Sequence, residues 1–207
     1  MTPADAFAKR PLIAILRGVV AQEAFGVGEA LIDAGFTMIE APLNGPEALA
    51  SIRILSASFG ARAAIGAGTV LRVEDVGAVR DAGASYVVSP NTNRLVIEAA
   101  KASGLWTLPG VGTASECFAA LDAGADGLKL FPAEMMPPAA VKALRAVLPR
   151  DVPLVAVGGI DGANLAAYRA AGATGFGFGG ALYAPGRSAL DVGACARALV
   201  AAWEACG

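Results

Sequence analysis

The feature that most constrains the fold of this chain is a repeat. A helix-like segment ends in Ala-Gly or a close variant and is followed at once by a short β-rich run; the markers are Gly35, Gly60, Gly83, Gly104, Gly124 and Gly172. Most of them lie about 20 to 25 residues apart, the spacing of a repeated supersecondary unit. The one double-length gap, between Gly124 and Gly172, contains Pro149 and the apolar run 152–157, so it holds two units. Each marker glycine suits the position just past a helix end, where φ is usually positive. Eight apolar runs read as strands: 12–16, 38–42, 64–68, 86–89, 106–109, 127–131, 154–157 and 175–178. Between them, segments such as 24–34, 76–82, 95–102 and 139–148 repeat apolar residues at helical spacing. Eight alternating units without a linker predict an α/β fold, a (β/α)8 TIM barrel, with residues 1–207 forming a single domain. The alternative, a doubly wound sheet, usually shows GxGxxG after its first strand, where this chain has Arg17-Gly18-Val19-Val20.

Composition narrows the function. With 207 residues, 56% hydrophobic and 16% charged, the chain can bury one large core and is not a disordered segment. The net charge of -2 and the lack of a basic stripe exclude nucleic acid and an anionic membrane surface as expected partners, while an anionic small molecule stays open. No apolar run reaches the length of a membrane span, so a soluble, cytoplasmic protein is expected. Cys117, Cys195 and Cys206 show neither a disulfide framework nor zinc-ligand spacing. Histidine is absent, so proton transfer near neutral pH falls to a carboxylate, a lysine, a tyrosine or a thiol.

In such a barrel the chemistry lies at the C-terminal ends of the strands. There the chain places Arg17 after the first strand, Glu40 in the second, Gly68-Thr69 after the third, Ser89-Pro90-Asn91 after the fourth and Pro109-Gly110-Val111-Gly112-Thr113 after the fifth. The sixth strand carries Lys129, one of four lysines, between Leu128 and Leu130-Phe131. An ammonium in apolar surroundings loses hydration, so its pKa falls and the neutral amine becomes available to attack a carbonyl and form a Schiff base. The bland readings are a lysine that snorkels to water, a Glu40 that merely neutralises it, and an Arg17 in a surface ion pair. Glycines and small residues around these side chains favour a ligand, because they clear the mouth of bulk. Gly158-Gly159 and Gly179-Gly180 follow the last two strands, where this barrel commonly binds phosphate through backbone N–H groups.

Taken in order, Arg17, Glu40, GAGT, SPN, PGVGT, LKLFPA and VGGI resemble the class I aldolases of the 2-keto-3-deoxy-6-phosphogluconate type over about residues 11–183. Glu40-Ala41-Pro42-Leu43-Asn44 and Val157 are most similar to the 2-dehydro-3-deoxy-6-phosphogalactonate branch, the gluconate branch tending to have Thr where Val157 stands. The resemblance implies a Schiff base on Lys129 and proton transfer by Glu40 through a water. It implies that Arg17 and Thr69 hold the substrate carboxylate, with Pro90 and Phe131 as walls, and that Gly158, Gly159, Gly179 and Gly180 receive the phosphate. Val157 is the expected discriminator at C4. The family commonly has Ser at the position of Gly180, so this chain lacks that hydroxyl donor. The implied partners are a phosphorylated 2-keto-3-deoxy sugar acid and pyruvate, in a homotrimer that needs no metal and no cofactor. Rival readings are a lyase for the 6-phosphogluconate epimer, for 4-hydroxy-2-oxoglutarate or for an unphosphorylated sugar acid; an isomerase using Glu40 as base; and a non-catalytic binding barrel.

Overall fold

The computed structural model describes residues 1–206. Nine parallel strands form one sheet: β1 (Leu12–Ile15), β2 (Met38–Pro42), β3 (Ala64–Gly68), β4 (Tyr86–Val88), β5 (Trp106–Leu108), β6 (Gly110–Val111), β7 (Leu128–Leu130), β8 (Leu154–Val157) and β9 (Gly175–Phe178). Their order is β5-β4-β3-β2-β1-β9-β8-β7-β6. The two ends of that order, β5 and β6, are one stretch of chain interrupted at Pro109, so the sheet closes into a barrel. The sequence reading had a single fifth strand ending at residue 109. Proline has no N–H to give to a ladder, and here it marks the switch: β5 pairs with β4 before it, and β6 pairs with β7 after it.

Helices follow the strands, and both faces of the sheet are covered; this is why the strands read as near-continuous apolar runs rather than alternating ones. The helices are α1 (Pro3–Lys9), α2 (Ala21–Asp33), α3 (Ala48–Phe59), α4 (Val73–Asp81), α5 (Arg94–Ala102), α6 (Ala114–Asp122), α7 (Pro138–Arg145), α8 (Leu165–Ala170) and α9 (Ala189–Ala205). The two units expected between Gly124 and Gly172 are β7 with α7 and β8 with α8. Gly35, Gly83, Gly104, Gly124 and Gly172 all have positive φ, as the helix ends require. Gly60 does not: its φ is -57°, because Arg62 and Ala63 both donate to Phe59 O and turn the chain without a left-handed residue.

Two cores result. One lies between strands and helices and includes Leu31, Ile52, Leu55, Phe176 and Phe178. The other fills the barrel interior with Ile13, Ile15, Met38, Tyr86, Val88, Leu108, Val155 and Val157. α1 closes the N-terminal end of this interior, since Ala6 belongs to the inner core and Phe7 packs against it. No helix among the described residues is long and apolar enough to cross a membrane.

Candidate active site

The barrel interior opens towards the C-terminal ends of the strands. A small cavity there is lined by Glu40 and Lys129 together with Ile13, Ile15, Val88, Leu108, Val155, Val157 and Gly177. Above it lies a cleft of about 600 Å³, whose walls include Arg17, Phe131, Glu134, Val157, Gly158, Gly159, Asp161, Gly179, Gly180 and Tyr183. Ile15, Val157 and Gly177 line both, so the charged pair forms the floor of the cleft.

Register places the two charges. Ile15 pairs with Glu40 and Glu40 with Gly66, so Glu40 points inward on the second strand. Lys129 pairs with Gly110 on one side and Val155 on the other. Neither neighbour carries a polar side chain, and the ammonium lies 4.8 Å from the centre of the Phe131 ring. Glu40 is 2% exposed and Lys129 6%, which puts both inside the range where hydration is lost. No ion pair within 4 Å joins them among the described residues.

That combination of burial without contact decides the electrostatics. Burial pushes the Glu40 carboxyl above the usual carboxylate range, against the opposing pull of Lys129 and Arg17. Burial pushes the Lys129 amine below the usual lysine range; Glu40 opposes this, and the Arg17 charge adds to it. A buried lysine that is easily neutralised, in one cavity with a carboxyl that readily takes up a proton, has the chemistry a nucleophile with a proton carrier needs.

The cleft differs on its two glycine turns. Gly158 and Gly159 have φ of 103° and 67°, so the turn itself demands glycine. Gly179 and Gly180 have no such φ, and a methyl group at either would meet nothing within 4 Å. Their missing side chains therefore serve the open space of the cleft rather than the backbone. The N–H groups of Gly159, Gly180 and Ala181 donate to no acceptor among the described residues, leaving them available to an anion. Asn164 fixes the first turn by donating from Nδ2 to Gly159 O at 2.7 Å.

Of the residues singled out in the sequence, Lys129, Glu40 and Val157 meet in the inner cavity, and Arg17, Phe131, Val157, Gly158, Gly159, Gly179 and Gly180 in the cleft. Thr69 and Pro90 line neither. Thr69 lines a neighbouring groove with Leu43, Asn44, Leu71 and Val79, and it is the one described non-glycine residue with positive φ, 56°. Sequence reasoning missed Glu134, whose Oε2 would lie 2.8 Å from a Cβ placed on Gly159. It also missed Gly177, where a Cβ would meet Val157 Cγ2 at 2.8 Å; a glycine alternating with Phe176 and Phe178 was its only signal.

The family model for KDPG and KHG aldolases matches residues 4–192. A probable 2-dehydro-3-deoxy-6-phosphogalactonate aldolase of Rhizobium meliloti is 49% identical over 95% of this chain and 93% of its own length. The 2-dehydro-3-deoxy-6-phosphogalactonate aldolase of Escherichia coli is 45% identical over 95% of this chain and 96% of its own. A solved structure of native KDPGal superposes with a TM-score of 0.94 at 44% identity, covering 96% of each chain. KDPG aldolase from Legionella pneumophila, solved with pyruvate captured at low pH as a covalent carbinolamine intermediate, gives a TM-score of 0.83 at 27% identity over 96% of this chain and 98% of that one. With its fold, its buried amine and its matched length in agreement, this chain belongs to the KDPG and KHG aldolase family.

Proposed function

We propose that this chain is a class I aldolase that cleaves 2-dehydro-3-deoxy-6-phospho-D-galactonate to pyruvate and D-glyceraldehyde 3-phosphate. The observation that carries the reading is the floor of the cleft, where Lys129 and Glu40 are both buried and share one cavity. The names of the relatives support the substrate, and the carbinolamine of the Legionella protein supports the covalent chemistry.

The neutral Lys129 amine adds to the C2 carbonyl, and loss of water from the carbinolamine leaves an iminium. Glu40 takes the C4 hydroxyl proton, the C3–C4 bond breaks, and its electron pair flows into the iminium to give an enamine and the aldehyde. Glu40 gives that proton back to the enamine at C3, and hydrolysis of the iminium releases pyruvate and restores the amine. Arg17 pairs with the substrate carboxylate, and Phe131 walls the reacting carbons. Thr69 and Pro90 line neither the cavity nor the cleft, so their roles at the substrate carboxylate and as a wall rest on the resemblance alone. Gly158, Gly159, Gly179 and Gly180 hold the phosphate through backbone N–H groups. Val157, which offers the C4 hydroxyl no polar partner, favours the galacto configuration. The whole chain works as one barrel domain, in the cytoplasm, as a homotrimer; exposed Leu71, Leu95, Phe118 and Met135 supply apolar surface for self-association.

One observation favours a second reading, in which the substrate lacks the phosphate. The Glu134 carboxylate packs beside Gly159 in the cleft, where it repels an anion, and Gly180 brings no hydroxyl. Pyruvate release from the two 6-phosphorylated epimers and from the unphosphorylated sugar acid tests both readings. The phosphorylated galactonate should give the highest kcat/KM. A preference for the gluconate epimer, or for the unphosphorylated acid, would overturn the substrate assignment.

A further inference from the structure

One buried polar group in the barrel interior has no partner. Tyr86 is fully buried, and its hydroxyl makes no hydrogen bond among the described residues. A phenol O–H left unpaired in an apolar core costs stability, so a tyrosine there calls for a reason that a phenylalanine would not.

The register supplies one. Glu40 pairs with Gly66, and Gly66 pairs with Tyr86, so the three occupy one row across β2, β3 and β4. The middle position has no side chain. Tyr86 fills the vacancy, since a methyl group on Gly66 would overlap the Tyr86 ring. Two residues further along the same strand, a methyl group on Gly68 would overlap the Glu40 carboxylate. The hydroxyl-bearing end of the Tyr86 ring and the carboxylate thus lie against consecutive inward glycines of one strand, and no side chain of β3 stands between them. No hydrogen bond to the Glu40 carboxylate is made among the described residues, and the carboxylate borders the inner cavity. A buried donor without an acceptor and a neighbouring carboxylate that borders the cavity are of complementary type.

We infer that Tyr86 is a positioning residue, whose hydroxyl donates to the Glu40 carboxylate once that carboxylate is ionised and so steadies it as the proton acceptor. This rests on the role proposed for Glu40. The charged groups that face Glu40 are Lys129 from β7 and Arg17 after β1, and Tyr86 faces it from β4. Burial raises the tyrosine pKa well above its usual value, with the nearby Glu40 charge adding to the effect, so the hydroxyl remains a donor across the working pH range.

The test is exchange of the pyruvate methyl hydrogens in D2O at saturating pyruvate, followed by NMR as a function of pH. Lys129 is then held as the iminium, so the rising limb of the rate reports Glu40 alone. A hydrogen bond to the charged form lowers the pKa of a carboxyl, so Tyr86→Phe should move that limb to higher pH by about 0.5 to 1 unit. Below the limb the rate should fall by about 3- to 10-fold, with the plateau unchanged. In a Glu40→Gln background the same substitution should have no further effect. A superimposable profile for Tyr86→Phe, with Glu40→Gln slow, would overturn the inference and leave the role of Glu40 standing. A rate lowered by one factor at every pH would mark a merely structural tyrosine. Wild-type exchange by Glu40→Gln would remove the base itself and the inference with it.

Discussion

The two ends of the barrel are built from the same inward-facing strand positions and come out opposite. At the N-terminal end, Phe7 of α1 meets Trp106 at 5.9 Å between ring centres, and Trp106 meets Tyr86 edge-on at 6.4 Å. Aromatic bulk seals that end. At the C-terminal end the corresponding bulk is missing: Gly177, Gly179 and Gly180 leave a cleft of about 600 Å³, and the chain places Glu40 and Lys129 at its floor. Side-chain volume decides which end is open to a ligand, and the buried charges lie in the layer between packed and open. The surface makes the same point from the other side. Lys101 holds Asp126 at 2.6 Å as an exposed ion pair, whereas Lys129 has burial without contact.

If the open end alone carries the chemistry, changes there and changes at the sealed end must separate. The largest effect should come from Glu40→Gln, which should retain pyruvate trapping but lose turnover by about 10²- to 10⁴-fold, the range for a general acid-base group. Steady-state kcat beside a trapping assay checks it, and near-native turnover would make Glu40 structural. At the sealed end, Trp106→Ala should cost about 3 kcal/mol of stability by urea denaturation, the lower end of the range because the ring is only partly buried, while KM changes little. A large KM change with little loss of stability would break the division. Back at the open end, removing the 6-phosphate should lower kcat/KM by about 10- to 100-fold, the worth of one or two hydrogen bonds to a charged group. The smallest change is Val157→Thr, which should shift the ratio of kcat/KM for the two C4 epimers towards the gluconate one by about 2- to 10-fold. An unchanged ratio would show that the C4 hydroxyl is paired elsewhere.

Legibility followed the same division. The barrel was readable because strands covered on both faces become apolar runs, and helix ends that reverse into them become glycines. The burial of Glu40 and Lys129 in one cavity was readable because both charges lie within strand runs at the barrel mouth. The plug at the sealed end was not: α1 contributes only Ala6 as a buried residue, too little to show a periodicity. Pro109 read as the end of a strand, while the fold uses it to hand one strand's pairing to the other neighbour. Tyr86 looked like any apolar strand residue, and only the register with Gly66 and Glu40 shows what its hydroxyl faces. Thr69 lines a neighbouring groove and has a left-handed backbone at the strand end, a conformation that spacing does not encode.

If the buried amine of Lys129 is the nucleophile, borohydride reduction in the presence of pyruvate will trap it. Burial disfavours the ammonium, which lowers the pKa, so below that value the lysine is protonated and inert and above it the amine is free. The trapping rate should therefore climb with pH and level off below the ordinary lysine value of about 10.4. Peptide mass mapping should place the reduced adduct on Lys129 alone. An adduct on Lys9, Lys101 or Lys142, or none at all with active enzyme, would contradict the account.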